Sequence, residues 1–468
     1  MAADRSMSQR QMSQRKRYVI ATVMACLGLS YLGGYGGNHD NGADGWLFDA
    51  SLLTRAQIRS EDLPAQDKVA IIAVDQRSLD STELKALRRA LFAPVWARTL
   101  QGLGDAGARA VAFEFLLTFS GGTFKAGYDR TFQQALFRQQ SLAVLGRTAA
   151  TLPAKSYQAA LRFDADALGM LELIPDQDGV MRVFPLIHET DSSAGSGAGL
   201  RSLSARALER AGVTDLPANI IPAPRRLVEA LPTYAMVDLL RCLETAPLAV
   251  EAIFKDRMVF IGSVLADEDR RLGAGRYLPP PLHQGESAGV GCMLPRLGAS
   301  NPNSRTVPGV HLHTMAAQSV ADGNWVALMP PAMAGAMTAV LGGIGAVLGL
   351  FLAPWSAFVL VLLLSGTMWG GEVAALDMQL WLPAFIPILA LFLSTILAYL
   401  VRYLVEERRR VIQHAFGRYL APRRWRVFWK APTGCAWVGW CVRHPSCSPI
   451  YQASPPCPHA LSRRSLSP

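Results

Sequence analysis

Four apolar segments, each about twenty residues long, constrain this chain of 468 residues more than any other feature. They span residues 18–37, 332–352, 355–376 and 380–401. A helix of about 20 apolar residues is long enough to cross a bilayer. The sequence therefore predicts an α-helical membrane region with one N-terminal and three C-terminal transmembrane helices, and a large domain at 38–330 between them.

Basic residues flank this membrane region at both ends. The tail at residues 1–17 ends in Arg15, Lys16 and Arg17, and further arginines, beginning with Arg402, follow the last segment. Since Lys and Arg accumulate on the cytoplasmic side, we expect both termini in the cytoplasm and residues 38–330 in the periplasm of a bacterial inner membrane. The alternative for the first segment, a cleaved signal peptide, is disfavoured because the segment is long and no A-x-A site follows it.

The net charge of +10 does not indicate nucleic-acid binding, because the basic residues at the two ends lie beside apolar segments. The three late segments contain no Lys, Arg or His in mid-membrane, which disfavours a transporter. The expected contacts are therefore membrane lipid and an extracytoplasmic signal, with no nucleic acid and no cofactor.

The central domain contains segments typical of an α/β fold. Lys68–Asp75, Ala108–Phe115 and Arg257–Gly262 are apolar runs typical of buried strands, and Ala97–Ala106 is a plausible crossover helix. A helical crossover joins parallel strands. Further strands are predicted at Ser141–Leu145 and Gly179–Leu186. The predicted fold class is therefore an α/β sensor domain with a mostly parallel sheet.

Two carboxylates, Asp75 and Glu114, follow the first two predicted strands. The carboxyl ends of parallel strands are where open α/β sheets bind ligands. We therefore treat Asp75, Glu114 and Arg98 as candidate ligand-binding residues. The alternative is structural: Asp75 would cap a helix, and Glu114 would form an ion pair with Arg98 or Arg109.

Two further residue pairs require an interpretation. His311 and His313 have a spacing that can hold a metal on a strand, but such a pair more often starts a helix, so no metal site is predicted. Cys242 and Cys292 are the only cysteines of the central domain, and an oxidising periplasm would allow a disulfide between them.

Asp267–Pro295 is rich in Gly, Pro and charge and is predicted to be a mobile loop.

The order of these segments resembles receptors that carry the second type of CHASE domain, a sensing domain associated with cyclases and histidine kinases. The matching segments are Val69–Leu79, Gly107–Phe115, Asp176–Leu186, Phe254–Ser263 and Val307–Val320. The set is spread over most of residues 45–325 and is followed by three apolar segments. Glu114 departs from the pattern, because the family usually has Asp there, and Phe92–Arg98 matches its Trp/Pro-rich motif only loosely.

The segment after the membrane region resembles the entry to a class III adenylate or guanylate cyclase domain. Residues 402–422 form a predicted signalling helix and linker, and His414–Pro422 reads HAFGRYLAP. The resemblance implies a sensor that works as a homodimer and relays its signal to a cyclase. Receptor kinases also carry such sensors, and a plain basic membrane anchor is the simplest alternative.

Residues 423–468 do not read as a folded domain. They contain four of the seven cysteines and four of the ten tryptophans, but no Asp or Glu. A class III cyclase needs two carboxylates to hold its metal ions. We therefore expect a disordered tail, and we expect that the chain as given is not an enzyme. Zinc binding by the four cysteines is disfavoured, because no C-x₂-C pair occurs among them.

A shift of one nucleotide gives this tail a cyclase-like reading. With permitted codons, Ser446–Pro458 read one nucleotide upstream gives VLFSDISGFTTLS, which resembles the first metal-binding strand of class III cyclases. The same shift makes Thr433–Val438 compatible with DRLRLG. The sequence thus predicts a receptor cyclase whose catalytic domain is lost by frameshift. The alternatives are a stand-alone sensor that signals through a partner and the sensor portion of a receptor kinase.

Overall fold

The structure is a computed structural model that describes residues 2–36, 42–58, 68–188, 199–222, 231–277, 292, 294–297 and 306–417. In the first and last of these ranges, side chains are described only for 17–35 and for residues up to 407. The chain forms two compact units. The sensor unit draws on residues 33–336 and 364–386, and the membrane unit draws on residues up to 32, on 337–363 and on residues from 387 onward.

A six-stranded sheet forms the centre of the sensor unit. In spatial order its strands are β10 (Thr233–Ala235), β1 (Val69–Val74), β11 (Met258–Ser263), β2 (Ala110–Phe113), β3 (Ala143–Arg147) and β4 (Leu168–Met170). All five neighbouring pairs are parallel. The central strands β1 and β2 are buried along their whole length, as the apolar runs predicted. The predicted α/β fold class is confirmed.

Helices cover both faces of this sheet. One face is covered by α4 (Ala93–Asp105), α5 (Arg130–Arg138), α8 (Met236–Thr245) and α9 (Pro247–Phe254). The other face is covered by α7 (Leu203–Arg210) and α10 (Gly309–Ala321). Because side chains alternate along β1, Ile72 packs into the first layer and Ile71 into the second. Short helices complete the domain at α3 (Gln76–Asp80), α6 (Lys155–Ala160), Arg89–Leu91, Gly121–Thr123 and Ala165–Ala167.

Short strands form three smaller sheets beside the main one. They are β5 (Val180–Met181), β6 (Phe184–Pro185), β7 (Ile187–His188), β8 (Leu200–Arg201), β9 (Asn219–Pro222), β12 (Arg270–Gly273), β13 (Thr306–Pro308), β14 (Trp325–Leu328) and β15 (Leu380–Trp381). The single strand predicted at Gly179–Leu186 is therefore divided between β5 and β6. Part of the predicted loop at Asp267–Pro295 is the strand β12, and much of the remainder lies outside the described residues.

Four helices are long and apolar enough to cross a membrane. They are α1 (Ala2–Gly36), α11 (Pro331–Phe351), α12 (Pro354–Ala375) and α13 (Phe385–Gly417). Their apolar spans are Arg17–Tyr35, Pro331–Phe351, Pro354–Met378 and Phe385–Glu407. The last span starts later than the predicted residue 380, because β15 pairs with β14 and Pro383 separates β15 from the helix.

Glycines bring the membrane helices together within the membrane unit. A Cβ on Gly345 of α11 would clash with the Leu391 carbonyl oxygen of α13, and a Cβ on Gly349 would clash with the carbonyl oxygen of Thr395. Only glycine therefore permits this approach of helix backbones. On the other side of α11, Gly343 lies against Leu27 of α1.

A helix that the sequence did not predict, α2 (Gly42–Ile58), follows the first membrane helix. Phe48 and Leu52 of α2 pack with Trp381 in a separate core of the sensor unit, and the ring centroids of Phe48 and Trp381 are 4.9 Å apart. Arg55 forms an ion pair with Asp377 at 2.7 Å. The helix α2 therefore contacts the connection between α12 and α13.

The segment after the last span is helical as far as the structure describes it. Helix α13 continues to Gly417 without a break. The linker beyond residue 417 and the predicted out-of-frame tail at 423–468 lie outside the described residues.

Candidate functional site

The carboxyl edge of the parallel sheet is the candidate ligand site. Asp75 directly follows β1 and caps helix α3, where its side chain accepts a hydrogen bond from the Ser78 amide at 2.9 Å and another from the Ser78 hydroxyl. The Arg77 guanidinium lies 4.0 Å from the same carboxylate. Asp75 thus has the helix-capping role that the sequence offered as the structural alternative.

Glu114 directly follows β2 and has a different environment. Its amide donates to the Ile261 carbonyl at 2.8 Å, which fixes it beside β11. Among the described residues its carboxylate has no hydrogen bond and no ion pair. Burial raises the pKa of Glu114 well above its usual range, and the negative charge of Asp269 raises that pKa further. Glu114 is therefore a carboxyl group whose charge no described cation compensates.

Two glycines make room for the Glu114 carboxylate. A Cβ on Gly309, at the start of α10, would lie 2.5 Å from Oε1 of Glu114 and 2.9 Å from Oδ2 of Asp269. A Cβ on Gly262 of β11 would clash with Oε2 of Glu114. The absence of side chains at both positions leaves Glu114 and Asp269 close to each other at this edge.

Asp75 and Glu114 lie at the same edge but are not neighbours. Strand β11 lies between β1 and β2, so the two carboxylates follow strands that are about 10 Å apart. A small molecule could span that distance.

Arg98, the third candidate, forms an ion pair elsewhere. It lies on α4 and pairs with Glu244 at the end of α8, and no described contact joins it to Asp75 or Glu114. Both residues line a surface groove of about 380 Å³. The ion pair suggested between Glu114 and Arg98 or Arg109 is also not formed, because Arg109 pairs with Asp256 at 3.2 Å.

His311 and His313 are buried in the first turns of α10 and contact different neighbours. Nδ1 of His313 lies 3.3 Å from the Ser204 hydroxyl of α7, and Nε2 of His311 lies 3.4 Å from the Thr233 hydroxyl of β10. Burial lowers the pKa of each imidazole to about 4. In the part of the chain that the structure describes, no three His, Cys, Asp or Glu residues are grouped to hold a metal.

Cys242 and Cys292 form a disulfide, with their Cα atoms 5.7 Å apart. The bond attaches residue 292 to helix α8, and Leu294 nearby packs into the same buried layer. Cys26 of α1 is the free cysteine of the described residues.

The sequence analysis missed the most highly charged buried cluster of the sensor unit. Arg182 has no exposed side-chain surface and lies 2.7 Å from carboxylate oxygens of Asp49, Asp176 and Asp178. Arg276 also pairs with Asp49 at 2.7 Å. Part of this cluster was visible in the sequence, because Asp176 and Asp178 precede Arg182 in a segment of alternating apolar residues. Asp49 could not be assigned to it, since it lies on a helix and is 133 residues from Arg182 in the chain.

An α/β domain joined to membrane helices at both ends is the architecture of a membrane-bound sensor module. The chain matches the CHASE2 domain family over residues 21–351, more than half of its length, and it belongs to that family. It is therefore a membrane protein with a CHASE2 sensor domain that acts in signalling. Searches of curated proteins and of solved structures found no match to it.

Proposed function

We propose that this protein detects an extracytoplasmic signal with its CHASE2 domain and was built to relay it to a class III adenylate or guanylate cyclase domain. One observation carries the proposal: α13 is a single helix of 33 residues that continues past its apolar span into HAFG, the start of the cyclase-like motif. A continuous helix transmits rotation or translation from the sensor side to a domain fused at its other end. The working form is a homodimer in a bacterial inner membrane.

The signal binds at the carboxyl edge of the sheet, and Glu114 is its main contact. Glu114 lacks a described cation, so a ligand with a cationic or hydrogen-bond-donating group would satisfy it. Asp75 lies at the same edge but already caps α3, so its contribution is smaller. Arg98 is engaged by Glu244 and stays a candidate only for a large ligand.

A binding screen tests the ligand site. Small amines, amino acids and divalent cations are added singly to the purified full chain, and the thermal midpoint of unfolding is recorded. We expect at least one probe to raise the midpoint in the native protein and not in a Glu114→Gln variant. Asp256→Asn is the matched control, because Asp256 is exposed and precedes β11, at the end of the strand opposite to the Glu114 edge. Equal stabilisation of both variants would exclude Glu114 as a contact.

The chain as given makes no cyclic nucleotide under this proposal. Its residues after 422 contain no Asp or Glu that could hold the catalytic metal ions, and with permitted codons a one-nucleotide shift makes the same region compatible with a cyclase-like strand. The catalytic domain is then encoded but out of frame.

The gene is sequenced across codons 410–468 and beyond the stop codon. Correction of the frame by one base should give a longer protein that produces cyclic AMP or cyclic GMP in cells without their own cyclase, while the original chain produces none. If no cyclase-like frame lies beyond residue 422, the cyclase relay is wrong, and a separate cytoplasmic partner that requires residues 402–468 becomes the expected output.

A further inference from the structure

Glu372 is a carboxyl group inside a membrane span with no exposed surface at all. It lies on α12, within the part of that helix that belongs to the sensor unit. Neither of its carboxylate oxygens has a hydrogen-bond partner among the described residues, although the Ser51 hydroxyl and the Trp381 indole lie beside the group. The protein itself, and not the lipid, encloses this side chain.

The described charge that acts on Glu372 is negative. Asp44 of α2 is also buried and interacts electrostatically with Glu372. Oδ1 of Asp44 accepts a hydrogen bond from the Phe385 amide at 2.8 Å, at the start of α13. Burial raises the pKa of Asp44 to about 6, although the Phe385 and Ile386 amides lower it in part. The first turn of α13 therefore favours the charge on Asp44 rather than on Glu372.

The other charged groups of the neighbouring elements are already paired. On α2, Asp49 is bound by Arg182 and Arg276, and Arg55 pairs with Asp377 of the α12–α13 connection. No cation is described against Glu372 from α2, from the connection or from the first turn of α13.

An ionised carboxylate enclosed in this way costs several kcal/mol, because it has lost water without gaining a described cation, and the neutral donors Ser51 and Trp381 offset that cost only in part. A neutral carboxyl group avoids most of that cost. It can also donate its proton in a hydrogen bond, and the Ser51 hydroxyl beside it offers an acceptor oxygen. Two carboxyl groups that interact in this way lose their protons in two steps that belong to the pair and not to either residue.

We propose that Glu372 and Asp44 form a proton-binding site at the junction of the sensor with the outer ends of α12 and α13. The site holds one proton near neutral pH. Its loss places a second negative charge between α2 and α12 and weakens their packing. Since α2 carries Asp49, which binds Arg182 of the sensor domain, and Asp44, which binds the start of α13, the proton controls a direct connection between sensor and membrane helices. The inference does not depend on a cyclase output.

Infrared spectroscopy of the full chain in lipid nanodiscs measures the proton directly. At neutral pH the native protein should show the carbonyl-stretch band of a protonated carboxylic acid, which disappears as the pH is raised. Glu114 is a second carboxyl group whose pKa burial raises, so the spectra are compared in a Glu114→Gln background. In that background Glu372→Gln should abolish this band, whereas Glu244→Gln, which changes an exposed and ion-paired carboxylate, should leave it unchanged. Asp44→Asn removes the neighbouring charge, so the band of Glu372 should disappear at a lower pH than in the native protein.

Two further measurements decide whether a failure comes from folding or from the proposal. Glu372→Asp retains a carboxyl group, so it should shift the band and not remove it, and gel filtration shows whether each variant is folded. A native spectrum that equals that of folded Glu372→Gln would mean that Glu372 is ionised, which overturns the proposal. Loss of the band on addition of sodium at constant pH would show a metal-cation site and would overturn it as well.

Discussion

Arg182 shows how strongly one buried residue can define this domain. Its guanidinium contacts three aspartates, two from its own segment and Asp49 from α2, and no part of its side chain reaches solvent. A buried ion-pair network costs desolvation energy when it forms, but removal of one partner leaves uncompensated charge. The network therefore fixes the position of α2 on the sensor domain.

Arg182→Ala should destabilise the protein by about 3–5 kcal/mol, since three aspartates, two of them buried, would lose their common cation. The free energy of unfolding of the full chain is measured by denaturant titration. Arg241→Ala is the matched control, because Arg241 pairs with Glu83 at the exposed surface and its loss should change stability little. Similar effects of the two substitutions would contradict the structural role of the buried network.

The two histidines of α10 predict a loss of stability in acid. Their folded pKa is about 4 and their unfolded pKa about 6.5, so the unfolded state binds more protons between these values. The contribution of these histidines to stability should be complete above pH 6.5 and should fall by about 3 kcal/mol per histidine as the pH drops to 4. His313→Gln should remove about half of this pH dependence and leave a constant offset at pH 8. An unchanged slope would show that His313 is not buried in its neutral form.

At the level of single residues the sequence predicted where the candidate carboxylates lie but not what surrounds them. Asp75 and Glu114 could be placed at strand ends because fully buried parallel strands appear as apolar runs. Asp75 is contacted by Ser78, which is near it in sequence. Asp269 and Gly309 lie beside Glu114, and only the fold brings them there. Arg98 was predicted to bind the ligand or to pair with Glu114, whereas its partner is Glu244, 146 residues away.

Helix packing within the membrane unit depends on the glycines of α11. A Cβ on Gly345 would clash with the Leu391 carbonyl oxygen of α13. That oxygen belongs to the helix backbone, so it can move only if α13 itself moves. Gly345→Ala should therefore force α11 and α13 apart and cost about 1–3 kcal/mol. Gly366→Ala in α12 is the control, because nothing lies within 4 Å of its added Cβ. Thermal unfolding in detergent compares the two, and equal midpoints would contradict this packing.

The disulfide between Cys242 and Cys292 connects helix α8 to a segment 50 residues later in the chain. A cross-link of that span stabilises by roughly 2–4 kcal/mol in most proteins. Cys242→Ser should lower the unfolding midpoint to the value of the native protein in reductant, and reductant should not lower it further. If reductant leaves the native midpoint unchanged, the bond does not contribute to the stability of the sensor domain.

Helix α2 is the element that sequence reasoning missed, for a physical reason. Its buried face carries Asp44, Asp49, Ser51 and Arg55 beside Phe48 and Leu52, so it lacks the apolar periodicity that reveals an amphipathic helix. Each polar group finds a partner far away in sequence; Arg55 and Asp377 are 322 residues apart. The six-stranded sheet, by contrast, was predictable because its buried strands are continuous apolar runs.

For the molecule as a whole, the path of the chain predicts on which side of the membrane the end of α13 lies. The α12–α13 connection belongs to the sensor unit, where β15 pairs with β14 and Asp44 binds the start of α13. Along the chain, α11 passes from the sensor unit into the membrane unit, α12 passes back into the sensor unit, and α13 enters the membrane unit again. The far end of α13 should lie on the opposite side from the sensor, which is the cytoplasmic side if the basic residues beginning with Arg402 follow the positive-inside rule.

Reporter fusions test this topology. A fluorescent protein that folds only in the cytoplasm is fused after Ala353, after Met378 or after Gly417 of the chain. The first and third fusions should fluoresce and the second should not, because Met378 lies in the connection on the sensor side. An enzyme that is active only in the oxidising compartment should give the opposite pattern at the same three positions. Fluorescence after Met378 would place the sensor domain in the cytoplasm, where the Cys242–Cys292 disulfide would not persist.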